Sequence, residues 1–335
     1  MLASWYDAQG PAADVLHVGE LPDPVPGPGE VRVRVTVSGV NPGDTKKRRG
    51  WLGSSMPFPR VVPHSDGAGV IDAVGAQADV HRVGQRVWVY GAQSYRPFGT
   101  AAQYTVVPDH QAAPLPDHLS DELGASLGIP GITAHRAVFA DARPVDGRST
   151  RSSWSPRRRR PLGRPARPPG RLQGSVIATV RRTADLDRVD LAAVSRAVAS
   201  GYRPATLAAA MRSHRASGRR PDHRGIARLD NADLDNAVAA NNAVIAAYAT
   251  RSDRTEIPFW PLLFNNVTLR LLGSDDFPAE AKRQAARDLT SAAAVGALTV
   301  AVGDRHPLDD IAKAHDHVDA GGGHGRILLT IPRPS

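Results

Sequence analysis

Between residues 31 and 37 valine alternates with arginine or threonine, the period of a strand with one buried face, and a Pro/Gly-rich turn at Pro24 to Gly29 precedes it. The segment from Ser38 to Asp44, Ser-Gly-Val-Asn-Pro-Gly-Asp, reads as the turn-rich end of that strand. Small residues from Asp66 to Gly69, followed by Val70 and Ile71, open another strand whose backbone can approach its neighbours closely. Residues 84–89 and 99–107 add two more. The first hundred or so residues are thus predicted to be mostly β, with closely spaced turns and no long helix.

After Pro116 the pattern changes. Ser120 followed by Asp121 and Glu122 predicts a capped helix over 120–127, with acidic residues at its positive end, and Gly128 to Phe139 predicts a second helix. The run Val176 to Val180 reads as a buried parallel strand. Asn231 precedes a short helical stretch, Ala243 to Tyr248 is a buried strand, and Val267 to Leu272 is another. Pro278 to Leu298 is a long Ala-rich helix, Pro307 to Val318 a shorter one, and Arg326 to Ile331 a closing strand. No internal repeat is present.

The stretch from Arg148 to Gln173 fits neither period. Arg and Pro occur there at a density that a helix or central strand does not accept, because Pro has no amide donor and clashes with the preceding turn. A parallel strand such as 176–180 would follow a strand ending in a glycine loop that cradles a pyrophosphate at a helix N-terminus, and no such loop is visible. On composition alone the segment reads as a basic linker. At the codon level a second reading opens. Trp154 has one codon, and shifting the frame by one base turns it into glycine. The run Arg157 to Arg160, written with CG-type codons, becomes four residues drawn from Gly, Ala, Val and Asp. A glycine loop with glycines at 154, 157 and 160 is thereby permitted, and the same operation on 220–225 permits a strand where the written sequence suggests none. The expectation is of two compensated frameshifts, one over about 149–173 and one ending near Arg228. The written sequence is then expected to lack a well-formed first strand in its central sheet.

Composition narrows the class. The 335 residues suit two domains, with 41% hydrophobic and 22% charged residues. The formal net charge of +9 points toward nucleic acid, but arginine clusters in the anomalous segments, so a nucleic-acid partner is not the favoured reading. The absence of cysteine excludes disulfides, thiolate catalysis and cysteine-ligated zinc. No apolar run is long enough to span a membrane and no leader pattern is present, so a cytoplasmic protein is expected. The twelve histidines show no ligand spacing, and His315 and His317 fall on different helix faces.

Four motifs in order, Gly39-Val-Asn41-Pro, Ser65-Asp66-Gly-Ala-Gly69-Val-Ile, Gly128-Ile-Pro130 with Thr133-Ala, and Gly325-Arg-Ile-Leu-Leu, resemble the zinc-free medium-chain dehydrogenase/reductases, in particular the zeta-crystallin-like NADPH:quinone oxidoreductases. The resemblance covers about 1–147 and 229–332. It implies a GroES-like β-rich catalytic domain over 1–118, a Rossmann domain with a doubly wound parallel sheet over 119–262, and a C-terminal part, 263–335, that completes the catalytic domain. Zinc-bearing relatives place a Cys and a His where this chain has Asn41 and Ser65, so no metal ligands are expected. The implied reaction is NADPH-dependent reduction of quinones or related conjugated carbonyls, whose carbonyl is already electrophilic and needs mainly positioning. An alkene or enoyl reductase, a cofactor-deficient remnant and a basic nucleic-acid-binding protein are the alternatives.

The resemblance also assigns residues. Asn41 is the candidate for a polar contact to nicotinamide or substrate, its competing reading being a turn residue that bonds its own backbone. Thr133 resembles the family threonine near the nicotinamide, with a helix-start cap as the alternative. Lys46 stands where zeta-crystallin has a cofactor-contacting tyrosine. Asn231, Tyr248, Ala249 and Thr250 match the stretch that lines the cofactor, with Val267 and Leu269 after it. Arg181 and Arg182 follow the strand at which Rossmann proteins select their cofactor, and arginines there favour the 2′-phosphate of NADPH. The family implies a homodimer and no membrane partner.

Overall fold

The computed structural model describes residues 1–140, 151–157, 176–180, 196–199, 222–228, 231–250, 252, 254–321 and 325–334. The chain forms two compact units, one built from Met1–Ile132 and the chain from Asp275 onward, the other from the described residues between Thr133 and Ser274.

The first unit opens with a small antiparallel pair, β1 (Leu2–Trp5) and β2 (His17–Glu20), around the four-residue α1 (Ala12–Val15). Its main sheet starts with β3 (Glu30–Val40), in which Val31, Val33, Val35 and Val37 all point into the core. The alternation stops at Ser38, and residues 38–40 are all buried, because this end of the strand carries β15 (Arg326–Thr330) on one edge and β4 (Asp66–Val74) on the other. The strand therefore runs three residues into the stretch expected to be turn. Helix α2 (Pro42–Arg49) then begins directly, with Asn41 at its N-cap, Pro42 as first helical residue and Asp44 closing a capping box. Strands β5 (Arg86–Val89), β6 (Tyr104–Pro108) and β7 (Ala112–Pro114) follow. The sheet order is β14-β15-β3-β4-β5-β7, with β6 also paired to β3 and β14 comprising Val302–Pro307.

Ser120 caps α3 (Asp121–Gly124) as the sequence predicts, its side chain accepting from the Leu123 amide. Helix α4 (Gly128–Phe139) follows. The Ala-rich helix α7 (Ala279–Ala294) belongs to the first unit, where the Thr290 hydroxyl accepts from Trp88 Nε1 at 2.9 Å. Helix α8 (Ile311–Ala320) packs Ile311, Ala314 and Val318, with Leu308 of the 3-10 turn before it, against Val35, Val40, Ile327 and Leu329.

The second unit carries a six-stranded sheet in which every pairing is parallel. Its strands in chain order are β8 (Arg151–Arg157), β9 (Val176–Val180), β10 (Arg196–Ala199), β11 (Asp222–Arg228), β12 (Val244–Ala249) and β13 (Thr268–Leu271). Helix α5 (Ala232–Val238) lies between β11 and β12, and α6 (Phe259–Phe264) precedes β13. The spatial order β10-β9-β8-β11-β12-β13 is the third, second, first, fourth, fifth and sixth strand, that of the dinucleotide-binding doubly wound fold.

Three expectations are corrected. The central sheet does have a first strand, β8, from within the Arg/Pro-rich stretch. Pro156 is tolerated because the β8–β11 register ends at Trp154, so the proline faces only one ladder, that with β9. A strand also stands at 222–228, where the written residues suggest none; parallel neighbours on both sides supply its backbone partners. The chain returns to the first unit at Asp275 rather than at residue 263, because β13 is a member of the second unit's sheet.

Replacing Thr290 by Val should leave the buried Trp88 N–H without an acceptor and cost about 1–3 kcal/mol, while Thr290→Ser should stay within about 0.5 kcal/mol. Urea unfolding followed by tryptophan fluorescence checks both.

Candidate active site

Four segments distant in sequence meet at a buried polar cluster in the first unit. Asn41, at the junction of β3 and α2, donates from Nδ2 to Asp66 Oδ2 at 2.8 Å, and its Oδ1 accepts from Arg326 Nη1 at 2.8 Å. Asp66, at the start of β4, also accepts from the Ile129 amide in the first turn of α4 at 2.9 Å, and Arg326 Nη2 lies 3.5 Å from Asp66 Oδ2. Asp44 Oδ2 accepts from the Asn41 amide at 2.7 Å. All four side chains are buried. The approach is close enough that glycine is required: a Cβ on Gly128 would stand 2.1 Å from Asp66 Oδ1, and one on Gly39 would meet the Ala125 carbonyl at 2.3 Å.

Burial dominates the electrostatics. It pushes the Asp44 carboxyl up to about 7, with the nearby Asp66 charge adding to the shift, and Asp66 up to about 6 against the opposing pull of Arg326 and the Asn41 amide. Arg326 is lowered by the same desolvation. Two carboxyls thus face one buried guanidinium, and the cluster is charge-balanced when Asp44 holds a proton. Nε and Nη2 of Arg326 have no hydrogen-bond partner.

Beside the cluster His64 is fully buried in a left-handed conformation, φ 78°. Its ring meets that of His315 of α8 edge to edge, the two planes 24° apart and the centroids 5.1 Å apart, and burial, reinforced by Arg326, lowers His64 to about 3. His315 is likewise held well below the usual imidazole range. Neither histidine, nor Asp44, nor the role of Asp66 and Arg326, emerges from the sequence. His64 and His315 are 251 positions apart, so no local spacing could pair them.

The residues proposed from the sequence divide between the units. Asn41 stands at the N-cap of α2, its Oδ1 accepting from Arg326 and its Nδ2 donating to Asp66. Ser65 is buried with its Oγ unpartnered. Lys46 places its ammonium over the Trp51 ring at 3.8 Å, an attractive cation–π contact. Thr133 is half-buried inside α4, past its first turn, so the helix-start cap is ruled out. Asn231 opens α5 after β11, and Tyr248, Ala249 and Thr250 stand at the C-terminal end of β12, the edge at which parallel sheets bind ligands. Thr250 Oγ1 bonds Thr255 Oγ1 at 2.7 Å. Val267 precedes β13 and therefore lies at the opposite edge from Tyr248, while Leu269 sits between the two, level with Ile245. Topology does not bring these two to the cofactor edge. Arg181 and Arg182 lie outside the described residues, as does most of the segment read as frameshifted. Among the described residues no group of three or more His, Asp and Glu could hold a metal ion, and no helix is long and apolar enough to cross a membrane.

Residues 27–117 match the alcohol dehydrogenase GroES-like domain. Mouse quinone oxidoreductase is 38% identical over 126 residues, 38% of this chain and 37% of that protein, and human quinone oxidoreductase is 35% identical over 144 residues, 43% and 42%. The match spans less than half of either relative. A mycobacterial structure complexed with NADPH superposes with a TM-score of 0.75 at 24% identity, covering 98% of this chain and 99% of that one. The chain thus carries a GroES-like domain in its N-terminal part and shares the overall fold of that structure. It joins a GroES-like unit, completed by the C-terminal part, to a Rossmann-type parallel sheet.

Asp44→Asn keeps an acceptor for the Asn41 amide and removes a titrating group. Because the folded-state value of Asp44, about 7, lies above the ordinary 3.8, the native carboxyl holds its proton as pH rises from 4 while the unfolded one releases it, and native stability falls. The variant should gain about 1–3 kcal/mol above pH 7 and nothing below pH 4. Thermal melts across that range check the sign.

Proposed function

We propose that this chain is an NADPH-dependent reductase of quinones or related conjugated carbonyls that works without zinc, with an alkene or enoyl substrate as the nearest alternative. The observation that carries the reading is the joining of a GroES-like domain to a parallel sheet of dinucleotide-binding order in a chain whose N-terminal region is similar to quinone oxidoreductases. Asn41 and Ser65 offer an amide and a hydroxyl where zinc-bearing relatives hold metal ligands, a polar but metal-poor donor set. A reduced nicotinamide would supply the hydride. This chain's own residues bind and orient: Asn41 is locked by Asp66 and Arg326, Thr133 projects from α4, and Tyr248 to Thr250 line the C-terminal edge of the sheet. Arg181 and Arg182 directly follow β9, the second strand, which is where a 2′-phosphate would be met.

The residues fit the cofactor at the sheet and not at its loop. Directly after β8 the sequence reads Arg158-Arg-Arg160-Pro161 and reaches no glycine before Gly163. Pyrophosphate binding there needs backbone amides presented without side chains in the way. We therefore infer that the written sequence binds NADPH with a Kd weaker than about 1 mM, an affinity below roughly 4 kcal/mol, and that frame restoration over 149–173 and up to 228 brings it into the micromolar range. Fluorescence titration of both proteins tests this. Micromolar binding by the written chain would refute the loop argument, and failure of the restored protein would refute the reductase reading.

A homodimer is the assembly we propose, in the cytoplasm. Its support is an open sheet edge at β13 beside α6, where Phe259, Trp260, Leu263, Phe264 and Leu271 are exposed, with Phe259 edge-on to Trp260 and Trp260 stacked on Phe264. Light scattering should give the mass of two chains, and Trp260→Ser with Phe264→Ser should give one; a monomeric parent protein would remove the proposal.

A further inference from the structure

The buried histidine pair belongs to a longer chain of hydrogen bonds whose direction can be worked out link by link. His315 Nε2 and His64 Nε2 are 2.9 Å apart, His64 Nδ1 and Ser38 Oγ 2.9 Å, Ser38 Oγ and Thr100 Oγ1 2.7 Å, and Thr100 Oγ1 and the Asp66 carbonyl oxygen 2.7 Å. A carbonyl can only accept, so the single Thr100 hydroxyl proton points at Asp66. Thr100 must then accept from Ser38, and Ser38, its proton spent, must accept from a protonated His64 Nδ1. Neutral His64 is left with a bare Nε2, which requires a protonated Nε2 on His315. His315 Nδ1 is then bare, and it is the one ring nitrogen of the pair that has no partner. Every link is satisfied in this one direction, with both rings neutral. Arg326 facing His64 and Arg48 facing His315 oppose a positive charge on either ring.

The chain ends on a residue with a second task. The carbonyl of Asp66 takes the last proton of the relay, and its carboxylate holds the Asn41 amide and the first turn of α4. His64 adopts a left-handed backbone that side chains rarely accept, which orients its ring between Ser38 and His315. We propose that His64 and His315 are positioning residues: a one-way neutral relay from α8 through Ser38 and Thr100 fixes the backbone of Asp66 and, through its carboxylate, the orientation of the Asn41 side chain. The relay rests on geometry within the first unit and stands whether or not the reductase reading does.

Long-range proton–nitrogen NMR of the full chain labelled with 15N-histidine reads the tautomers directly. At pH 7 His64 should carry its proton on Nδ1 and His315 on Nε2, with the His315 signal identified by its loss in His315→Gln. The opposite tautomers, or a cationic ring, would overturn the relay. The Asn41 side-chain amide gives the second readout. In the parent protein its exchange with solvent should be at least tenfold slower than that of exposed asparagines. His315→Leu, which removes the donor, should lose at least tenfold of that protection while the circular dichroism spectrum is kept, and His315→Gln, which retains an N–H at the same reach, should preserve it. Unchanged Asn41 protection in folded His315→Leu would show the pair to be packing alone. Should His315→Leu not fold, His315→Gln decides: protection retained with the expected tautomers supports the proposal, and protection lost from folded protein refutes it.

Discussion

The buried pair of Asp66 and Arg326 is the constraint from which the first unit's geometry follows. Removing both charges from water costs several kcal/mol for each, and direct attraction alone does not repay this unless further hydrogen bonds complete the arrangement. Asp66 is completed by the Asn41 amide and the Ile129 N–H, whereas Arg326 gains one such bond, from Nη1 to the Asn41 carbonyl oxygen. Each partner arrives on a different element: the β3–α2 junction, the first turn of α4, and β15 near the end of the chain. The C-terminal strand must therefore add to the sheet begun at residue 30, and the tight passage leaves no space for a Cβ at Gly39 or Gly128.

The same burial gives the acids and the histidines opposite responses to pH. Asp44 and Asp66 titrate above their unfolded values, so they favour the native state as pH falls from 7 toward 4. His64 and His315 titrate below theirs, so the native state loses stability as pH falls below about 6.5, where unfolded imidazoles take up protons that the folded ones refuse. Between pH 4 and 6.5 the two slopes oppose each other. A carboxylate-guanidinium pair and a neutral imidazole pair can share one dry interior only because each is internally balanced.

In the second unit backbone topology and local sequence disagree. All six strands are parallel and ordered for a dinucleotide crevice, yet β8 consists of Arg-Ser-Ser-Trp-Ser-Pro-Arg, polar where a central strand is ordinarily a near-continuous apolar run. The parallel neighbours on both sides of β8 supply its backbone partners and so place this segment in the sheet whatever its residues.

By itself the sequence determined the valine alternation of β3, the Ser120 cap, the Ala-rich helix of the first unit and the strands at 176–180, 244–249 and 326–330, because each is written in a local period or a local cap. It also carried Asn41, Asp66 and Arg326 within recognisable motifs. Only the tertiary structure decided what those residues do. Asn41 reads as a free polar contact until Arg326, 285 positions away, is seen to occupy its oxygen. His64 and His315 are unremarkable singly, and their pairing, like the opposite-edge position of Val267, follows from how distant elements pack. Strands β8 and β11 were hidden because their residues show no strand period, and their place in the sheet comes from pairing with neighbouring strands.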